Sequence, residues 1–225
     1  MFELFIKREN AIFDVLQELV GAKVPFVVVG GYAVSAYKHR FSVDADIVVK
    51  KDNKDQCKKI LSKKGFFETI SKELEHVYAT EFIRYTNNEK LPVNIDVLID
   101  GIGSRQTQAS FSFEELVKNS KMREIIGIEK SVRVLIPDKE MLIALKIHSG
   151  RLTDFRDVAA LAKGINIDEI SSIIWRGNTL TIKSNIRALL ALLEKREFID
   201  SFKGMFVEKT YDVDLKTLKT FNQLL

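Results

Sequence analysis

Two short apolar stretches constrain this chain more than anything else in it. They are VDADIVV, Val43 to Val49, and PVNIDVLID, Pro92 to Asp100. Side chains alternate between the two faces of a strand. In the first stretch Val43, Ala45, Ile47 and Val49 share one face, and Asp44, Asp46 and Val48 share the other. In the second, Val93, Ile95, Val97 and Ile99 oppose Asn94, Asp96 and Leu98. Each strand therefore buries one whole face and carries carboxylates at the start of the opposite one. If the two strands are neighbours, Asp44, Asp46 and Asp96 converge. Unpaired carboxylates in contact repel by about 1 kcal/mol per pair in bulk water and by several at an effective dielectric of about 20. A hard divalent cation reverses that sign, since Mg²⁺ is held by carboxylates, waters and substrate phosphates. The plainer alternative is that the aspartates cap strand ends or pair with Arg40 and Lys50.

The segment before the first strand weighs toward the cation. PFVVVGGYAVSAY runs from a short β-branched strand, Pro25 to Val29, through Gly30-Gly31 into a short helix. A glycine turn that leads from strand to helix aims backbone N–H groups at an anion. A phosphate site on one side of the loop and a metal site on the other would be bridged by one nucleoside triphosphate. The full Gly-x-Gly-x-x-Gly of a dinucleotide site is missing, and so is a Walker A motif.

Along the rest of the chain, residues 3–20 read as an amphipathic helix and Asn53 to Lys64 as another. Phe66 to Ile70 and Val77 to Tyr85 read as strands, and Asp100 to Gly103 as a turn. Ser112 to Asn119 reads as a helix capped by Ser112, with Glu115 three residues on. Met122 to Ile128 and Val132 to Ile136 read as a strand pair. After Pro137 the pattern is helical: Asp138 to His148, Asp154 to Lys163, Asp168 to Trp175, Thr181 to Arg196 and Leu215 to Leu224. The expected architecture is α/β (α+β), with a mixed sheet flanked by helices over residues 1–136 and a helical portion over 137–225.

No apolar run approaches the ~20 residues that span a bilayer. The acidic, amphipathic N-terminus lacks the parts of a signal peptide. With one cysteine, Cys57, an internal disulfide and a cysteine-based metal site are excluded, and a reducing cytoplasm is the simplest compartment. The formal net charge is only +4, but seven lysines fall between Lys50 and Lys64. They form either a solvated helix face or a contact surface for a phosphate backbone. His148 has no partner at metal-ligand spacing and reads as a surface or helix-end residue.

Taken in order, Gly30-Gly31, an apolar helical turn, Arg40-Phe41-Ser42-Val43-Asp44-Ala45-Asp46 and a distal Asp96 resemble the nucleotidyltransferase superfamily of DNA polymerase β type. The Arg-x-Ser-x-Asp-x-Asp form is similar to the stand-alone bacterial and archaeal transferases that include toxins of type IV toxin–antitoxin systems. The core of the resemblance covers roughly residues 20–100. A second segment, LIPDKEMLIALKIHSGRLTDFRDVAALA, resembles the region after that core, with Lys146, Arg151, Asp154 and Asp157 matching its lysine, arginine and Asp-x-x-Asp.

The resemblance implies a mixed sheet and transfer of a nucleoside monophosphate from an NTP to a hydroxyl, on tRNA or on a protein, with release of pyrophosphate. It implies two Mg²⁺ ions, with Mn²⁺ as a substitute, held by Asp44, Asp46 and Asp96, and a cognate antitoxin as partner. Gly30, Gly31 and Ser35 would line the β- and γ-phosphates, Arg40 and Ser42 would brace the loop or touch the nucleotide, and Lys146 and Arg151 would contact the triphosphate. Asp154 and Asp157 would orient Lys146 or the substrate. Without the resemblance, Asp154 reads equally as an N-cap, Asp157 as a first-turn carboxylate and Lys146 as a snorkelling lysine. The competing function is a transferase fold kept as a non-catalytic binding partner, such as an antitoxin or a complex subunit.

Overall fold

The computed structural model describes residues 2–225. A long helix α1 (Phe2–Gly21) leads into β1 (Phe26–Val29), α2 (Gly30–Ser35), β2 (Asp44–Val49) and α3 (Lys54–Lys63). The strands β3 (Phe66–Glu73), β4 (Glu81–Asn87), β5 (Asn94–Ile99), β6 (Gly101–Gly103) and β7 (Ser110–Ser112) follow. Next come α4 (Phe113–Lys118) and a hairpin of β8 (Ser120–Ile126) and β9 (Ser131–Pro137). The remainder is helical: α5 (Lys139–Ser149), α6 (Leu152–Leu161), α7 (Ile167–Ile174), α8 (Thr179–Leu192), α9 (Arg196–Phe206) and α10 (Leu215–Lys219), which runs into a 3-10 turn (Thr220–Leu224).

The principal sheet is five-stranded and mixed, in the order β1-β2-β5-β4-β3. Only β2 and β5 run parallel, and every other pairing in it is antiparallel. A parallel neighbour needs a crossover, and α3, β3 and β4 supply it. Ala45, Ile47 and Val49 of β2, with Ile95, Val97 and Ile99 of β5, are all buried. Their burial is the hydrophobic gain that fixes register, because a one-residue slip would turn the aspartates into the core. The buried residues form one continuous core that runs through the sheet domain and the helices beyond residue 137.

Several elements differ from the sequence expectation. Val43 precedes β2 instead of opening it and is 54% exposed at the sheet's rim. The β3–β4 pair shifts outward: β3 extends to Glu73, so the segment around Val77 becomes the connection and β4 starts at Glu81. Gly101 to Gly103 is a short strand paired with Ser110 to Ser112, not only a turn. The expected single helix from Thr181 ends at Leu192, and a separate helix α9 follows an extended Lys195. Phe198, Phe202 and Phe206 repeat every fourth residue in α9 and bury its apolar stripe, a helical signal present in the sequence. The Ser112 cap stands as expected, its hydroxyl accepting from the Glu115 N–H at 3.1 Å.

Candidate active site

The parallel register places Asp46 directly opposite Asp96 and Asp44 opposite Asn94. All four side chains project from one face of the sheet, since the intervening residues fill the core on the other. On the far side of β2, Val29 ends β1 opposite Asp46. Gly30, the next residue, has φ +68 and opens α2. A Cβ there would sit 2.0 Å from Asp46 Oδ2, so glycine is required both for the left-handed backbone and for the close approach of the carboxylate. A Cβ on Gly31 would sit 2.3 Å from Ser42 Oγ and 2.5 Å from Arg40 Nη2. The diglycine thus lets the Asp-x-Asp strand and the loop before it pack onto the start of α2.

That loop is held from within. Ser35 Oγ donates to the carbonyl oxygens of Gly31 at 3.1 Å and Arg40 at 2.8 Å. Ser42 Oγ donates to the Asp44 carbonyl oxygen at 3.0 Å. Arg40 reaches Asp157, with Nη2 donating to Oδ2 at 3.2 Å and Nε 3.0 Å from Oδ1.

Asp157 is also the centre of an ion network on α5 and α6. Lys146 Nζ is 2.7 Å from Asp157 Oδ2 and 3.0 Å from Asp154 Oδ1. Arg151 donates through Nε to Asp154 Oδ2 at 2.7 Å, and its backbone N–H to the same oxygen at 3.2 Å. Lys146, Asp154 and Asp157 are all buried. Burial pushes the Asp154 carboxyl up, but the Lys146 charge and the Arg151 hydrogen bond outweigh it and hold it below the usual carboxylate range. Lys146 therefore belongs to a paired buried cluster and does not snorkel. Asp154 does serve the helix start as well, since it accepts the Arg151 N–H.

These groups meet in a cleft of about 540 Å³ between the sheet face and α5. Gly30, Asp46, Arg84, Asp96, Lys146, Arg151 and Asp154 line it, with Phe82, Leu98, Ile102 and Phe111 toward one end. Gly31, Ser35, Arg40, Ser42 and Asp157 stand behind the lining, where they fix the loop and the network. His148 lines the cleft from the last turn of α5 but is buried, not at the surface. Its Nδ1 lies 2.8 Å from Thr107 Oγ1, and burial together with the Arg176 charge lowers its pKa to about 4.

Two partners of the aspartates escaped the sequence reading, Arg84 in the cleft lining and Asn94 outside it. Asn94 Nδ2 donates to Asp44 Oδ1 at 3.0 Å. Arg84, opposite Asp96 on β4, takes both oxygens of that carboxylate: Nε to Oδ1 and Nη2 to Oδ2, each at 2.7 Å. The β4–β5 hairpin is symmetric about Lys90, so its register could have paired Arg84 with Asp96 from sequence once β4 was extended past Tyr85.

Asp46 is the contrasting case. Burial and the neighbouring Asp96 push its carboxyl up to about 7, Lys146 offsets this only in part, and no hydrogen bond to it is formed among the described residues. A half-buried carboxylate without a partner, facing another carboxylate, suits an oxygen-seeking cation such as Mg²⁺. Yet no group of three or more acidic, histidine or cysteine side chains is arranged to hold a metal among the described residues, and Arg84 occupies Asp96. The donor set fits a divalent cation in its chemistry, with Asp96 engaged elsewhere.

The lysine-rich segment is largely paired. Lys50 pairs with Glu114, Lys54 with Glu81, Lys58 with Glu68, and Lys63 and Lys64 with Glu18. Five of its seven lysines are matched within the protein. Cys57 is buried within it, its thiol pushed up to about 12 by burial. Among the described residues no helix is long and apolar enough to cross a membrane.

The solution structure of the antibiotic-resistance factor ANT(2'')-Ia is similar to this chain with a TM-score of 0.52 at 12% identity, over 80% of this chain and 93% of that one. JHP933 from Helicobacter pylori gives 0.49 at 15% identity, over 99% and 90%. The lincosamide antibiotic adenylyltransferase LnuA gives 0.47 at 17% identity, over 69% and 96%. Identities this low speak to the fold alone. No curated protein matches the chain. The model of the nucleotidyl transferase AbiEii toxin of type IV toxin–antitoxin systems matches residues 14–221, and that span shows that this chain belongs to the AbiEii nucleotidyltransferase family.

Proposed function

We propose that this nucleotidyltransferase moves a nucleoside monophosphate from an NTP to a hydroxyl on tRNA or on a protein, as the toxin of a cytoplasmic toxin–antitoxin pair. The observation that carries the reading is the pairing of Asp46 with Asp96 across two parallel strands, with Asp44 one step along the same face and Gly30 against the Asp46 carboxylate.

The acceptor oxygen would bond to the α-phosphorus while the bond from that phosphorus to the α–β bridging oxygen breaks. Pyrophosphate would leave with the bonding electrons, and the hydroxyl proton would depart on the Asp96 side. Asp44, Asp46 and Asp96 would hold two Mg²⁺ ions, or Mn²⁺ in their place. When bound, such ions neutralise the phosphates and favour loss of the hydroxyl proton. Lys146 and Arg151 would meet the triphosphate, with Lys146 offsetting charge on the leaving group. Asp154 and Asp157 keep Lys146 in place. Arg40, Ser42 and Ser35 brace the loop, and Gly30 and Gly31 give it room. The structure orders two helices and a sheet around this cleft, but nothing in the lysine segment selects RNA over protein as the acceptor.

The test is to incubate the protein with Mg²⁺, each labelled NTP, a tRNA pool and total protein, and to ask which species takes up label. Label on one acceptor, abolished by Asp44→Asn in a folded protein, supports the reading. Undiminished transfer by that variant refutes the metal assignment. The Arg84–Asp96 pair favours one competitor, a binding protein without catalysis. A thermal shift separates them: the enzyme is stabilised by an NTP only when Mg²⁺ is present.

A further inference from the structure

Arg84 has no place in the chemistry above, yet it makes the tightest-fitting contact in the cleft. Its fork meets both oxygens of Asp96 at 2.7 Å, the bidentate geometry that makes arginine–carboxylate pairs strong. Asp96 is buried, while the Arg84 side chain is 32% exposed and lines the cleft. Arginine carries five N–H donors, and this contact uses two. The others have no hydrogen-bond partner among the described residues, and Arg84 shares the cleft with Lys146 and Arg151, the groups assigned to the triphosphate. On the opposite side of Asp96, Asp46 stands with no cation of its own among the described residues.

The three carboxylates are thus served unequally. Asp44 has the amide of Asn94, Asp96 has a full positive charge, and Asp46 has neither. A divalent cation shared by Asp46 and Asp96 must compete with Arg84 for Asp96. Two positive charges cannot both sit against one carboxylate without repelling each other, unless a further anion arrives to hold one of them. A triphosphate is such an anion.

We infer that Arg84 is the resident counter-ion of Asp96, exchanged for the divalent cation when the triphosphate enters, its fork then passing to a phosphate of the substrate. Metal and nucleotide therefore bind together, and the cation alone binds weakly. The inference rests on the proposed function, in that Asp96 is taken as a metal ligand. Arg84 is a positioning residue in this scheme, acting through Asp96 before it touches the nucleotide.

The experiment is Mn²⁺ binding to the full chain, followed by electron paramagnetic resonance, without nucleotide and then with a non-hydrolysable NTP analogue. Without nucleotide, Arg84→Met should bind Mn²⁺ at least about tenfold more tightly than the parent, the factor that a net ~1.4 kcal/mol from the ion pair represents. Arg84→Lys, which keeps the charge, should stay close to the parent. With the analogue present, the gain in Mn²⁺ affinity should be large in the parent and small in Arg84→Met. Arg84→Gln stands in if the methionine variant does not fold. Equal Mn²⁺ affinity in the parent and in the folded neutral variants, without nucleotide, overturns the inference. If in addition Asp96→Asn binds Mn²⁺ like the parent, the assignment of Asp96 to the metal fails as well. The two failures are therefore distinguishable.

Discussion

Asp157→Asn removes one charge from the buried network without emptying its space. Asp157 is fully buried and lies between Lys146 and Arg40, whose side chains are 8% and 11% exposed. Breaking a buried ion pair from one side strands the other charge and costs about 3–5 kcal/mol. Lys146 keeps Asp154 at 3.0 Å, so the stranded cation is chiefly Arg40 and the lower end, about 3 kcal/mol, is expected. For a chain of this size each kcal/mol shifts Tm by about 2–4 °C, so Tm should fall by about 6–12 °C. Urea unfolding followed by circular dichroism gives the free energy, and calorimetry gives Tm. The cause is isolated by a second change. In the Asp157→Asn background, Arg40→Met removes the stranded cation and should recover part of the loss, a coupling that a double-mutant cycle measures. A loss under about 1 kcal/mol, or a double variant no more stable than the single one, refutes the account of the network as mutually neutralising charges.

Gly30→Ala should cost about 1–3 kcal/mol from the left-handed backbone and displace Asp46, so both Tm and nucleotide transfer should fall. A fully active variant with parental Tm would contradict that geometry. Gly204→Ala is the opposite case: the residue is exposed within α9 with nothing within 4 Å of a Cβ, and the change should stabilise by about 0.5–1 kcal/mol in urea unfolding. His148 should make the protein sensitive to mild acid. Its folded pKa of about 4 lies below its unfolded value, so the folded state binds fewer protons and stability is lost as pH falls from about 6.5 toward 4. His148→Gln should flatten stability measured across that window, and an unchanged slope would remove His148 as its source.

The two aspartate strands were legible because period-2 burial on one face leaves little freedom of register. Ala45, Ile47 and Val49 had to face inward, and Asp44 and Asp46 followed. That β5 lies beside β2 is a matter of topology, which alternation alone does not specify. The limits of β3 and β4 were misplaced because Val77 and Tyr78 have strand propensity, while pairing partners decide where a hairpin turns. The phenylalanines of α9 are spaced for a helix, but the helical pattern from Thr181 continues through Glu194 and Lys195, so the sequence does not mark the break between the two helices. Arg84 and Asn94 were missed for a different reason. Each matters through what stands opposite it on a neighbouring strand, and cross-strand partners are read from register, not from local pattern.

β2 and β5 lie inside the five-stranded order, with strands on both sides of each. Interior strands open only when the whole sheet opens, whereas loops and edges fluctuate on their own. The amides of the strands that carry Asp46 and Asp96 should therefore exchange slowly. Heat inactivation should track the loss of secondary structure, with no temperature interval in which the folded protein is idle. Restraint of such an enzyme must come from something that fills or covers the cleft, since partial melting offers no separate off state.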